Sequence, residues 1–259
     1  MMNYSHSSES SPENKKTGLS RIIEVFVVLL IMLFLFLTLY PAVQHVREQE
    51  QARANSRRNL RSLVLPLSNY AEDFREKVKS QEDQIQTPPQ SWITAMLPYL
   101  DEAAMAAEID DSQSWDAPAN KQVFSIVLPA FLNPYMPEGP QQNSEGYALT
   151  HYSANSHLFP FTKSRNLATV KFADGLSNTI VIGEINSSLP AWGDPGNLRD
   201  PVRGLDGCSD CYGSPDREGA FMLFGDGSVR CLDKATDPRI LEALSTPAGG
   251  EVFPLQPSK

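Results

Sequence analysis

Cysteine is scarce in this 259-residue chain, with Cys208, Cys211 and Cys231 the only three, which excludes a scaffold held together mainly by disulfides. Basic residues are also few, 22 Lys and Arg against 31 Asp and Glu, giving a formal charge of -9. A general nucleic-acid binder needs surplus cations to replace counterions along the phosphates, and this chain has none to spare. Catalytic signatures are missing as well: there is no G-x-S-x-G, H-E-x-x-H, Walker loop or dinucleotide fingerprint, so no enzyme is expected. Ser153, His151 and His157 lie close in sequence, which is weak ground for a nucleophile and its base; a surface loop with satisfied histidines explains them better.

Long apolar runs are absent too, with one exception that sets the class. From Ile22 to Tyr40 only Glu24 and Thr38 are polar, and at roughly 1.5 Å per residue the stretch spans about 28 Å of hydrocarbon. A cleaved secretory signal has a shorter core and a small-residue site, whereas Pro41 here leads into a long polar helix pattern. The expectation is a single-pass anchor behind a disordered leader at 1–21. Arg47, Arg53, Arg57, Arg58 and Arg61 outnumber Lys15, Lys16 and Arg21, so positive charge alone does not orient the anchor. Glu24 either snorkels back toward headgroups and Arg21 or pairs with a cation on a neighbouring subunit.

Beyond the anchor, Leu60, Leu63, Val64, Leu67, Tyr70, Phe74 and Val78 recur at helical spacing, predicting a helix over 41–80 with one buried stripe and a bend at Pro66. Twenty prolines and short apolar runs then predict a domain of strands, turns and short helices over 81–245, before a flexible tail at 246–259. Ser91–Leu100 and Lys121–Leu132 supply helix or buried-strand material. Strands are expected at Thr169–Ala173, Thr179–Ile182, Ala220–Phe224 and Ser228–Leu232, joined by turns at Asp174-Gly175 and Gly225-Asp226-Gly227. The fold class is therefore α+β, with an antiparallel sheet packed on the helix.

Five blocks in order, LYPAVQHVRE, RRNLRSLVLPLSNY, SWITAMLPYLDE with SWDAPANKQV, FADGLSNTIVIGE, and AFMLFGDGSVRCL followed by AGGEVF, resemble a large domain-of-unknown-function family of prepilin-like proteins. That family has a prepilin-type N-terminus and a C-terminal signature of His, nine residues, then Asp-Gly. The resemblance implies a pilin- or pseudopilin-like architecture, a bacterial inner-membrane anchor, and a C-terminal domain on the periplasmic or extracellular side. It assigns processing and assembly to Gly18, Leu19 and Glu24, the first two as the point read by a prepilin peptidase. Counted from Leu19, Glu24 is the sixth residue rather than the family's fifth; Asp216 stands where His is frequent, and Asn133 where Cys is common.

The motif residues Asp174, Gly175, Ser177, Asn178, Asp226 and Gly227 read as tight turns, in which Gly accepts positive φ and Asp or Asn caps the backbone. Cys208, Cys211 and Cys231 suit a disulfide involving Cys208 or Cys211 better than zinc, since only His151 and His157 could complete a ligand set. Asp194, Asp200, Asp206, Asp210 and Asp216 crowd a Gly- and Pro-rich loop that could take Ca²⁺, although loop Asp residues more often bond their own backbone. No cofactor and no metal are expected. Two functions remain: a non-enzymatic pilin-like envelope subunit for assembly or type II secretion, partnered by the membrane and by itself or other pilin-like subunits, and an uncleaved, membrane-tethered module binding a glycan or peptide.

Overall fold

Helix α1 (Glu13–Ser62) begins inside the segment expected to be a disordered leader and continues through the apolar run and Pro41. The computed structural model describes residues 13–79, 91–136, 139–159 and 171–250, which divide into two compact units, Met1–Gln51 and Ala52–Lys259. In the first unit the large apolar side chains from Ile22 to Tyr40 are 46–67 % exposed on every side of the helix. A helix of a water-soluble domain buries one such face; this one has none to bury. Among the described residues it is the one helix long and apolar enough to cross a membrane.

The helix pattern breaks at Leu63, three residues ahead of the bend expected at Pro66, and resumes as α2 (Val64–Lys79). The proline is still the cause. Its ring collides with the carbonyl four residues back, which belongs to Ser62, the last residue of α1. The turn closes instead through Leu63 N–H to Leu60 O at 3.2 Å and Leu67 N–H to Leu63 O at 3.1 Å. The expected stripe is buried at Leu60, Leu63, Leu67 and Tyr70, and full burial of each leucine is worth about 1.5–3 kcal/mol. The side chains of Phe74 and Val78 lie outside the described residues.

The second unit is built on five strands, β1 (Tyr152–Asn155), β2 (Ile180–Glu184), β3 (Leu198–Arg199), β4 (Gly219–Phe224) and β5 (Val229–Asp233), ordered β3-β1-β2-β4-β5. The sheet is mixed rather than wholly antiparallel: β3 runs parallel to β1, pairing Ala154 with Leu198 and Asn155 with Arg199. The long return from β2 through residues 185–197 carries the chain back to the far edge, which a tight hairpin would not do. Of the strand expected at Thr169–Ala173, residues 171–173 are not extended strand and the first two lie outside the described residues. Short helices α3 (Trp92–Met96), α4 (Ala103–Ala106) and α5 (Lys121–Phe124) precede the sheet, and α6 (Pro238–Ser245) follows it.

Alternation along β4 divides two cores. Phe221 and Leu223 join the cluster of Leu60, Leu63, Trp92 and Phe131, whereas Ala220, Met222 and Phe224 join Leu241 and Leu244 of α6. In β2 the alternation is reset by a register shift between Ile180 and Ile182, so Ile180 faces α6 and Ile182 faces α1. Glu184, two residues further, is carried to the α1 side. Gly183 between them has no room for a methyl, because a Cβ would lie 2.3 Å from Met222 Sδ and 2.6 Å from the Tyr212 ring. Gly183→Ala is expected to cost about 1–3 kcal/mol of stability through overpacking, read as a lower thermal midpoint of the detergent-solubilised chain.

Candidate functional site

A charged residue at the end of the run IVIGE would ordinarily mark where a strand reaches water. Instead Glu184 is fully buried, and its carboxylate collects donors from three separate elements. The Ser56 hydroxyl of α1 and the Asn133 amide (Nδ2, 2.9 Å) donate to Oε1, and the Phe221 backbone N–H of β4 donates to Oε2 at 2.8 Å. Further bonds fix the surroundings: Asn59, one turn beyond Ser56, donates to Leu132 O at 3.0 Å, and Asn133 Oδ1 accepts from Tyr135 N at 2.8 Å. The Asn133 N–H donates to His151 Nδ1 at 2.9 Å, fixing the ring with that nitrogen as acceptor.

Burial pushes the Glu184 carboxyl up to about 7, against the pull of Ser56, Phe221 N–H and Asn133, with the Asp216 charge adding to the rise. Tyr152, its cross-strand partner on β1, is raised by burial and then by the Glu184 charge. His151 is lowered by burial. The outcome is a tie between helix and sheet whose charge state changes near neutrality. Among the described residues no cation pairs with it; the Arg53 guanidinium of α1 instead meets Asp216 at 3.0 Å. Asp216 also accepts from Ser214 Oγ at 2.5 Å and Glu218 N at 3.1 Å.

The turns around Asp174-Gly175 and Asp226-Gly227 lie together at one corner of the sheet. Asp174 receives Gly249 N–H at 2.7 Å and Gly250 N–H at 3.2 Å while its own N–H reaches Pro247 O, so residues 247–250 of the expected flexible tail are pinned. Asn178 Nδ2 donates to Asp174 O at 2.9 Å, and Gly175 takes φ 91°. Ser177 O accepts from Arg230 Nη2 at 2.6 Å, whose guanidinium also covers the Phe224 ring. Asp226 Oδ1 accepts from Ser228 N, Gly227 takes φ 80°, and a Cβ on Gly225 would meet Leu176 at 3.0 Å. These residues therefore form one corner, as turns, and the second turn lies against Val64 of α2.

The other sequence candidates are dispersed. Gly18 and Leu19 lie within α1, with side chains outside the described residues; Glu24 is exposed and accepts from Ser20 Oγ at 3.3 Å rather than meeting Arg21. Cys208 and Cys211 form a disulfide, and Cys231 is free and exposed on β5. His157 pairs with Asp200 at 2.9 Å, and Ser153 is buried on β1. Each loop aspartate has its own partner: Asp194 with Gly196 N, Asp200 with Val202 N, Asp206 with Asn186 and Gly219 N, Asp210 with Arg203, Asp216 with Arg53. Among the described residues no three His, Cys, Asp or Glu side chains are grouped to hold a metal ion. Neither Glu184 nor Ser56 stands out in the sequence, and Asn133 does so only as the residue where Cys is common; the one signal for the site is the lone acid closing an apolar run.

The pH dependence of the tie follows from its sign. An acid held higher in the fold than in the unfolded chain leaves stability intact below about 4.5 and removes it as pH climbs through about 7, here by about 3 kcal/mol in all. Thermal midpoints of the full chain between pH 5 and 8 should therefore fall with rising pH, and Glu184→Gln should flatten that slope whatever its absolute midpoint. Asp174→Ala is expected to free residues 247–250, seen as faster amide exchange there with about 1–2 kcal/mol lost.

No curated protein and no solved structure matches the chain. A family model does, across residues 44–206, an interval that takes in Ser56, Asn133, Asp174 and Glu184. Spanning more than half of the sequence, that match establishes that the chain belongs to the family described as Protein of unknown function (DUF1559).

Proposed function

We propose that this protein is a non-enzymatic, membrane-anchored, pilin-like envelope subunit, acting in assembly or a secretion-related structure at a bacterial inner membrane. The observation that carries the reading is the division of labour along α1. Its residues from Ile22 to Tyr40 expose apolar side chains on all sides, while Ser56, Asn59 and Leu60 of the same helix are consumed by the sheet domain. A membrane segment continuous with the organising helix of a small α+β domain is what the pilin-like resemblance implies. The Cys208–Cys211 disulfide supports placing that domain on the oxidising side of the membrane.

In this reading Glu24 sits in lipid without a cation of its own, and a neighbour's free amine, created when the leader is removed before Leu19, neutralises it. An ionised carboxylate inside the apolar stretch otherwise costs a few kcal/mol. Mass spectrometry of protein from its native membrane should find a mature terminus at Leu19; a terminus at Met1 or Asn3 overturns assembly by this route. Glu24→Ala should leave membrane insertion intact but abolish crosslinked oligomers. Unchanged crosslinking would instead favour an uncleaved, tethered binding module.

A further inference from the structure

We propose that the outer face of α1 in the second unit is a docking surface for a second copy of this chain, which presents its acidic segment around Asp101, Glu102 and Glu108. The inference rests on the assembly reading above and names the surfaces through which copies meet.

Ser56 and Leu60 of α1 are buried against the domain, and helical spacing puts Ala54, Arg58 and Arg61 on the opposite side of that helix, all exposed; Leu65, in the first turn of α2 just beyond, is 68 % exposed. Residues 52–71 contain four arginines and no acid. Two of those arginines are occupied, Arg53 by Asp216 and Arg57 by the Phe221 ring at 5.4 Å. Arg58 reaches only Asn55 Oδ1 at 3.3 Å, and neither it nor Arg61 has an ion-pair partner among the described residues. The stripe is thus cationic, apolar at one end and uncovered.

The complement lies in the same unit. From Ser80 to Asn120 there is no Lys or Arg, and residues 101–116 carry Asp101, Glu102, Glu108, Asp110, Asp111 and Asp116. Asp101 and Glu108 are exposed, as are Ala103, Ala104 and Ala107, small side chains that let a helix such as α1 approach closely. Two copies with a charge of -9 repel unless opposite charges are brought face to face, and among the described residues Arg58 and Arg61 set two cations without ion-pair partners one helical turn apart. Because the two surfaces differ, the contact is heterologous, and repeating it extends a chain of subunits rather than closing a dimer.

The test uses full-length protein in phosphatidylcholine vesicles, with self-association followed by chemical crosslinking at low salt and about 0.5 M salt. Arg58→Glu with Arg61→Glu should weaken association about tenfold, as should Asp101→Lys with Glu102→Lys and Glu108→Lys. Mixing the two variants should restore it, which misfolded proteins cannot do; Arg58→Gln with Arg61→Gln, its thermal midpoint unchanged, should give an intermediate loss. If wild type associates and the arginine variants associate equally well, the docking surface is wrong and the assembly reading stands. If wild type never associates, both fall. Association that requires anionic lipid in the vesicles would make the stripe a headgroup contact and overturn the proposal.

Discussion

A carboxylate removed from water must find hydrogen-bond donors within the protein, and Glu184 finds them on α1, on the loop after residue 131 and on β4. That requirement fixes how the helix sits on the sheet. Leucines at 60 and 63 supply more burial energy, but apolar contact is non-directional and tolerates sliding along the sheet. The polar tie does not, because displacement of α1 by one turn would leave Ser56 out of reach and an acceptor stranded in the core. The bulge in β2 belongs to the same design: without the reset between Ile180 and Ile182, strict alternation would not carry both Ile180 and Glu184 to the faces they occupy.

The motif corner is a second, independent constraint at the other end of β2. Gly175 and Gly227 take positive φ where any other residue would be strained, and Asp174 draws the segment after α6 back onto the sheet. One strand, β2, therefore carries a helix clasp at its C-terminal end and a chain-terminal clasp just before its first residue. The elements far apart in sequence, α1 and residues 247–250, are both referred to it.

What could be read from residues alone was whatever depends on composition or period. The apolar run from Ile22, the stripe as far as its described side chains at Leu60, Leu63, Leu67 and Tyr70, and the hairpin at Gly225-Asp226-Gly227 each follow from local rules and are present. The two-residue strand β3 was illegible because Leu198-Arg199 sits in a Pro- and Gly-rich stretch and becomes a strand only through its parallel partner. Glu184 was hidden for a related reason. Its burial depends on a bulge and on donors 128 and 51 residues away, and no window along the chain contains them. Pro66 predicts a disruption, and the break falls three residues earlier, at Leu63, because the ring's steric effect bears on the carbonyl of Ser62.

The Cys208–Cys211 bond closes a loop only three residues long in sequence separation, so in chain-entropy terms it contributes about 2 kcal/mol, far less than a bridge between distant elements. Its reach is local. Within that loop Ser209 O accepts from Arg199 Nη1, while Arg199 Nη2 holds Ser187 O and Ser188 O. Opening the bond in a reducing environment would thus slacken the rim around β3 and leave the helix clasp untouched, so the core would stay fully assembled with both thiols reduced.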